Sequence, residues 1–432
     1  MEFAKNQVLN KASHIRRLVK DHHKWRSQCL NLIASENVQS PLVREFMACD
    51  LQHRYTNYDR EDPTKRKYGG SKFAKQIDLC TIQVAKSLFK AKFVELRAIS
   101  GQIADATIVN AFAGRGPVFE VSALNGGHAA ALRYSRSSVI RLDVKELPFN
   151  THDYNIDIDA ARNRIRRVKP KLIILGAQNF LFPHPVSEIV EAAEEVGAVV
   201  AYDASHVFGL IAGGQFQDPF TEGAHVMMGS THKTLAGPQG GLILARSNGD
   251  LASSIKCALH PALITSHHPH RIPSLAVSLL ETKCFGRDYA KQIVKNSIRL
   301  GAQLYDNGVE ALFEEQNFSK SHTLLAKVSD GEKAQARLEQ TNIIVSHTHL
   351  PGDRKRPTGI RLGVQEITRL GMKEDDMDEI AALISESLAS RKSMNKMRSH
   401  VSTFAMKFRT LHYCFDSGAF AYKYYPLSTL WN

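Results

Sequence analysis

Paired cysteines, long apolar runs and internal repeats are all missing from this sequence of 432 residues. Its six cysteines form no C-x-x-C pair and match no zinc spacing, so we expect free thiols and no metal site. No apolar run is long enough to cross a membrane, and the first residues lack a secretory-signal pattern. These absences predict a soluble, cytoplasmic protein.

The charge balance is strongly basic, with a formal net charge of +13. One interpretation is a nucleic-acid or other acidic partner. We favour an ordinary basic enzyme, because the lysines and arginines are spread along the chain. The length exceeds the size at which one hydrophobic core usually stops growing, so two domains are expected.

The order of apolar runs predicts the architecture. Between about residues 85 and 245, short buried-strand runs alternate with stretches of helical spacing, which predicts an α/β domain with a mostly parallel sheet. The clearest predicted strands are 171–176, 198–202, 225–228 and 241–245.

Three segments follow from this pattern: a helical arm over 1–30, a large domain over 31–280, and a smaller α+β domain over 281–432. After a histidine-rich loop at 260–270, the segments 274–280 and 289–304 are predicted to be helical.

The most informative segment runs Gly229-Ser-Thr-His-Lys-Thr-Leu-Ala-Gly-Pro-Gln-Gly-Gly241. A surface lysine in a turn is the commonplace alternative for Lys233, but its neighbours argue against it. Ser230 and Thr231 offer hydroxyls to phosphate oxygens, and the glycines let the backbone approach a ligand closely. Since a desolvated amine has a lowered pKa and can form a Schiff base, Lys233 is a candidate to bind an aldehyde cofactor.

An acid stands where a neighbouring predicted strand ends. Asp203 lies at the position where α/β folds place ligand-binding groups, and it can keep a pyridine nitrogen protonated. Helix capping is the alternative role for such an aspartate. His206, three residues on, can reach the same ring.

Two weaker signals come earlier in the chain. Ser100-Gly-Gln102 precedes a predicted helix and suits a phosphate cradle, although Ser-Gly also caps ordinary helices. His128 follows two glycines and can lie flat on a cofactor ring, although loop histidines are often without function.

Seven motifs in register give the sequence a family resemblance. They are Asn31-Leu-Ile-Ala-Ser-Glu-Asn37, Lys65-Arg-Lys-Tyr-Gly-Gly70, Ser100-Gly101, Gly126-Gly-His128, Asp203-x-x-His206, Thr231-His-Lys-Thr234 with Gly-Pro-Gln-Gly-Gly, and Gly359-Ile-Arg-Leu-Gly363. The chain resembles the serine hydroxymethyltransferase family over nearly its whole length, and segments such as Thr265-Ser-His-His268 resemble its archaeal branch or a related aldolase or transaldolase.

The resemblance implies the aspartate-aminotransferase-like fold of pyridoxal-phosphate (PLP) enzymes (fold type I), with PLP in the large domain and homodimers sharing their active sites. It implies an amino-acid substrate, with no membrane or nucleic-acid partner. The cofactor residues it implies are Ser100, Gly101, Gln102, His128, Asp203, His206, Ser230, His232 and Lys233, with Thr265 and Ser266 reaching the other subunit's phosphate. The substrate residues it implies are Ser35, Tyr55, Tyr68 and Arg361, and the catalytic set is Lys233, Asp203, His128, Tyr55 and Tyr68.

The chain departs from the family around the substrate. Asn57 stands where the family has a glutamate that moves a proton near the substrate hydroxyl and tetrahydrofolate, and an amide cannot carry that proton. Asp59 or Glu61 is a candidate substitute. The chain departs from the family at three further positions. Lys67 replaces a tyrosine, Gln178 replaces a serine, and Ala130 and nearby residues replace a second histidine that follows the Gly-Gly-His motif.

Three functions remain open at this point. The first, which the resemblance favours, is serine–glycine hydroxymethyl transfer with tetrahydrofolate or a related pterin as a possible acceptor. The second is a threonine aldolase or transaldolase that works without folate. The third is a non-catalytic or RNA-binding descendant, which the presence of Lys233, Asp203 and Arg361 disfavours.

Overall fold

A computed structural model describes residues 2–58, 62–136, 141–353, 355–389 and 393–423. Its helices are α1 (Glu2–Arg26), α2 (Pro41–Glu45), α3 (Lys72–Phe89), α4 (Gly101–Phe112), α5 (Ala130–Arg136), α6 (Ile158–Val168), α7 (Val186–Glu194), α8 (Phe208–Ala212), α9 (Asp250–Leu259), α10 (Arg271–Asp306), α11 (Gly331–Gln340), α12 (Gln365–Arg369), α13 (Glu374–Leu388) and α14 (Met394–Ala405). Its strands are β1 (Leu30–Asn31), β2 (Phe93–Glu95), β3 (Pro117–Glu120), β4 (Asp143–Glu146), β5 (Phe149–Asn150), β6 (Asn155–Ile156), β7 (Leu172–Leu175), β8 (Val199–Asp203), β9 (Val226–Ser230), β10 (Gly241–Ala245), β11 (Thr323–Lys327), β12 (Ile343–Ile344), β13 (Ser346–Thr348) and β14 (Gly359–Gly363).

A seven-stranded sheet in the order β2-β10-β9-β8-β7-β3-β4 forms the centre of the large domain. The strands from β9 to β4 pair in parallel, and β10 alone runs against both of its neighbours. Central strands such as Leu172–Leu175 are buried along their whole length, as expected for a sheet with helices on both faces. The predicted α/β class and the four predicted strands are confirmed.

One edge of this sheet collects the ends of the parallel strands. β8 ends at Asp203 and β9 ends at Ser230, while the chain leaving β2 reaches Ser100 at the same edge. The Gly241 amide donates to the carbonyl oxygen of Ala98 at 2.9 Å, which fixes the segment before Ser100 against the start of β10. Ligands bind at such edges in α/β folds, so this edge is where a site is expected.

The segments 274–280 and 289–304 are helical as predicted, but they belong to one helix, α10, which also covers the polar residues between them. The polar residues between these two segments favour a break in the helix when the sequence is read alone. Glu281 is buried and forms an ion pair with Arg369 at 2.9 Å, so a charge within the helix lies inside the protein. Gly286 packs against Gly213, so the backbone of α10 lies close to the chain that follows α8.

The small domain carries an antiparallel sheet in the order β11-β14-β13. Arg361 lies on its central strand, opposite Leu325 on one side and Ser346 on the other. The domain limits at 30 and 280 stay predictions; α10 crosses the second, and β1 pairs with β12 near the first.

Two further expectations are tested by the described residues. All six cysteines are free thiols, as expected. Across the described ranges, no helix combines the length and apolar character that crossing a bilayer requires.

Candidate active site

A cavity of 270 Å³ opens at the carboxyl edge of the sheet. Most of the predicted cofactor residues meet there. Its lining consists of Ser100, Gly101, Gln102, Asp105, His128, Ala177, Gln178, Asp203, Ser205, His206, Ser230, His232 and Lys233.

Lys233 lies in the loop that follows β9. Its backbone carbonyl accepts from the side-chain amide of Asn37 at 2.8 Å and from the Ala236 amide at 3.1 Å, which holds the loop in place. Burial lowers the pKa of the Lys233 amine to about 8, although Asp203 opposes the shift. About a tenth of this amine is therefore neutral, and so nucleophilic, at pH 7, which is far more than for a lysine with the ordinary pKa.

This pKa predicts how fast the apoprotein captures an aldehyde coenzyme. Because the neutral amine reacts, the rate should be half-maximal near pH 8 and level off above it, well before the ordinary lysine pKa of 10.5. Growth of a visible absorption band after mixing apoprotein with coenzyme measures the rate. A rate that keeps climbing up to the ordinary lysine pKa would contradict the assignment of Lys233 as a desolvated amine.

The start of α4 forms a cradle for an anion. The Ser100 hydroxyl accepts from the Ile103 amide at 3.1 Å and caps the helix, whose N-terminus favours negative charge. A Cβ added at Gly101 would lie 2.2 Å from the Ser230 hydroxyl oxygen, so only glycine lets β9 approach the helix this closely. Gln102 is exposed at the mouth of the cradle.

Asp203 lines the same cavity as this cradle. It is 7% exposed, and its Oδ1 accepts from the Ser205 amide at 2.9 Å. One oxygen of Asp203, one oxygen of Asp105 and a ring nitrogen of His128 all lie within 4.8 Å of one another. Two buried acids and an imidazole therefore share one wall of the cavity.

His206 is buried beside His322, with ring centroids 5.5 Å apart and nearly parallel planes. Burial is the main cause that holds the pKa of His206 well below its usual range, and the positive charge of Lys233 adds to it. The ring is therefore neutral at physiological pH, so one of its nitrogens can donate a hydrogen bond and the other can accept one.

Arg361, from the small domain, does not itself line the cavity but contacts Gln178, which does. Its Nη1 donates to the Gln178 carbonyl at 2.9 Å and its Nε donates to the Ser346 hydroxyl at 3.3 Å. Burial lowers its pKa to about 10, so the guanidinium stays charged at neutral pH. Since arginine has five N–H donors, it has donors beyond these two contacts for a carboxylate ligand.

A second group of predicted residues lies outside the cavity. Tyr55 and Tyr68 are 59% and 39% exposed, and their ring centroids lie 5.4 Å apart. The Asn57 amide donates to the carbonyl oxygen of Thr265, whereas its own Oδ1 is buried without a partner among the described residues. Thr265 is exposed and Ser266 is half-buried. We call these five residues the outer patch.

Some of the other predicted positions line a cavity, and others do not. Ser35 lines a neighbouring cavity of 590 Å³, and His232 borders both cavities. Gln178 lines the Lys233 cavity, Ala130 starts α5, and the Lys67 amine lies 5.7 Å from the Tyr68 ring centroid. Asp59 and Glu61 lie outside the described residues.

Sequence reasoning missed Asp105. The residue stands on α4 among alanines and β-branched residues, and it is 2% exposed. A lone acid inside an apolar helical run is the signal that was available, since carboxylates are almost never buried without a partner.

Known proteins resemble the chain over nearly its whole length. The sequence profile described as "Serine hydroxymethyltransferase" matches residues 8–384. A protein of that name from Methanothermobacter thermautotrophicus is 42% identical over 95% of this chain and 97% of its own. Another, from Methanopyrus kandleri, is 41% identical over 94% and 96%.

A solved structure agrees with the fold. L-threonine transaldolase from Pseudomonas fluorescens superposes with a TM-score of 0.88 at 28% identity, covering 96% of both chains. Together with the profile, this confirms the expected PLP-enzyme fold with its large parallel core.

The family implies pyridoxal phosphate, and the cavity fits that group. The Gly101–Ser230 cradle suits a phosphate, the amine of Lys233 is desolvated, and Asp203 offers a buried carboxylate to a ring nitrogen. The predicted enzyme class is confirmed by the same comparisons. The chain belongs to the serine hydroxymethyltransferase family and is a PLP-dependent transferase that carries out hydroxymethyl transfer or a related aldol reaction.

Proposed function

We propose that this chain makes and breaks the Cα–Cβ bond of a small β-hydroxy amino acid such as serine or threonine, and that the aldehyde leaves or is exchanged without tetrahydrofolate. Residue 57 carries this proposal. Asn57 is 8% exposed and its amide donates to the Thr265 carbonyl, so the position where the family resemblance implies a proton-carrying glutamate holds a fixed, neutral group.

The chain's own residues would divide the work as follows. Lys233 would hold the coenzyme, the Ser100–Gly101 turn and Ser230 would hold its phosphate, and Asp203 would keep its ring nitrogen protonated. When bound, PLP supplies a ring that accepts the electron pair left on Cα as the bond breaks. His128 would lie on the ring face, and His206 would face its phenolic oxygen.

Substrate orientation would come from the small domain. Arg361 would bind the substrate carboxylate with two parallel N–H donors, which fixes Cα relative to the cavity. Ser35, on the wall of the neighbouring cavity that His232 shares, would assist.

The outer patch supports a homodimer with shared active sites. Tyr55, Tyr68, Thr265 and Ser266 are candidates to serve the cavity of a second copy, because in one chain they are exposed or half-buried and do not line the cavity. Exposed apolar side chains on α1, such as Val8, Ile15 and Leu18, fit an arm lying on that copy. A cytoplasmic location stays a prediction.

Tetrahydrofolate-dependent transfer is the second candidate. The names of the archaeal relatives favour it, since proteins 41% and 42% identical are called serine hydroxymethyltransferase. A neutral Asn57 weighs against it, and the structural resemblance to a protein named L-threonine transaldolase agrees with exchange of the aldehyde.

The test measures glycine formation from serine and from threonine, with and without tetrahydrofolate. We expect the wild-type rates to be unchanged by folate. In Asn57→Glu, a carboxylate at this position should make folate accelerate serine cleavage by at least about tenfold, in line with general acid–base contributions.

Asn57→Gln is the matched control, because it has the length of glutamate without the charge and should stay indifferent to folate. Acceleration of the wild-type enzyme by folate would overturn the folate-free proposal. A folate response in the glutamine variant would show that side-chain length, rather than a proton-carrying group, decides the outcome.

A further inference from the structure

We propose that Asp105 and Arg133 are positioning residues that clamp the imidazole of His128 between a carboxylate and a guanidinium, with the ring proton on Nδ1. The clamp rests on the proposed function in one respect only, which is that His128 faces the bound coenzyme. It adds two residues to the site, and neither belongs to the motifs that carry the family resemblance.

The carboxylate side of the clamp comes from α4. Asp105 lies four residues after Gly101, so it is on the side of the helix that faces the anion cradle. Its Oδ2 lies 3.3 Å from Nδ1 of His128, which is an ion-pair distance, and neither this Nδ1 nor the other carboxylate oxygen, Oδ1, has a hydrogen-bond partner among the described residues. Burying a carboxylate is costly unless a partner compensates it, and the His128 ring is the donor within reach.

The guanidinium side of the clamp comes from α5. Nη1 of Arg133 lies 3.2 Å from Nε2 of His128. Because a guanidinium only donates, Nε2 must accept, and the single proton of a neutral imidazole then sits on Nδ1 towards Asp105. The two nitrogens are thus held from opposite sides, which fixes the plane of the ring.

The titratable groups around Asp105 come from β8, from the loop after β9 and from α5. Asp203 faces it from β8, Lys233 faces it from the loop after β9, and Tyr134 faces it from α5. Burial and the neighbouring Asp203 raise the pKa of Asp105. The carboxylate of Asp105 in turn raises the pKa of His128, and Arg133 opposes that shift.

A fixed ring has a consequence for the coenzyme. The side chain of His128 is 31% exposed towards the cavity, so it presents a face to whatever binds there. A ring that is already held in its stacking orientation loses little conformational freedom when the coenzyme binds. Removal of the clamp should therefore weaken coenzyme binding, and Arg133 allows this to be tested at a residue that does not line the cavity.

The test is a double-mutant cycle on coenzyme binding, measured by titrating apoprotein without substrate. We expect Asp105→Asn to raise the coenzyme dissociation constant by about tenfold, and by less than about twofold when His128→Phe is already present. Arg133→Met, at an exposed position, should act in the same direction, and it keeps the test available if the Asp105 variant does not fold. Arg136→Met, on the same helix, is the matched control and should change nothing.

Nitrogen-15 NMR of the histidine rings gives the second readout, with His128 assigned by the resonance lost in His128→Phe. Its pKa should fall in Asp105→Asn and rise in Arg133→Met, shifts that a purely structural role would not produce. An Asp105 effect of equal size with and without His128, or an unchanged His128 pKa in both variants, would overturn the clamp. Neither readout involves folate or serine cleavage, so its failure is distinguishable from failure of the proposed reaction.

Discussion

Replacing Lys233 with alanine is expected to lower turnover of a β-hydroxy amino acid by more than about a thousandfold, the scale on which loss of a covalent catalyst acts. The alanine variant has no amine to bind the coenzyme, so the visible band of the bound coenzyme should also be lost. Steady-state assays and an absorbance spectrum of the dialysed protein measure the two effects.

Lys92→Ala is the control for this substitution, because Lys92 is exposed and lies at the start of β2, away from the cavity lining. It should keep both the band and the activity. A Lys233→Ala enzyme that retained either the band after dialysis or a tenth of its turnover would show that another lysine carries the coenzyme.

Replacing Asp203 with asparagine should cost about a hundred- to a thousandfold in kcat, the range measured when one preorganised electrostatic group is removed. The amide is nearly isosteric, and its oxygen can still accept from the Ser205 amide, so the local fold should persist. An amide cannot keep a ring nitrogen protonated, and the carbanion at Cα loses stabilisation.

The visible band separates this effect from loss of the coenzyme. We expect Asp203→Asn to keep its coenzyme and lose turnover, whereas Lys233→Ala loses both. If Asp203→Asn kept full kcat, the role of Asp203 would be that of a structural cap. The acid that keeps the ring nitrogen protonated would then be another residue of the Lys233 cavity, and Asp105 is the first candidate.

The parts of the fold that the sequence predicts best are those set by local periodicity. Short apolar runs such as Val199–Asp203 read as buried strands, and strand ends locate Asp203 and the Lys233 loop at one edge of the sheet. The long helix Arg271–Asp306 could not be predicted as one element, because the burial of Glu281 depends on Arg369, which is 88 positions away.

The site was predictable to the extent that its residues belong to motifs. Lys233, Asp203, His206 and Ser230 meet in one cavity as expected. The distance of Tyr55 and Thr265 from that cavity could not be read from one chain's sequence, because whether they serve a site depends on a second copy. Asp105 was missed because it interrupts an apolar helix without belonging to any motif.

The central claim is that the Lys233 amine is the covalent attachment point of the coenzyme. Reduction of the coenzyme-loaded protein with borohydride, followed by peptide mass spectrometry, tests it most directly. The account predicts a single coenzyme adduct on the peptide that contains Lys233. An adduct on a different lysine, or reduced protein with no adduct at all, would contradict it.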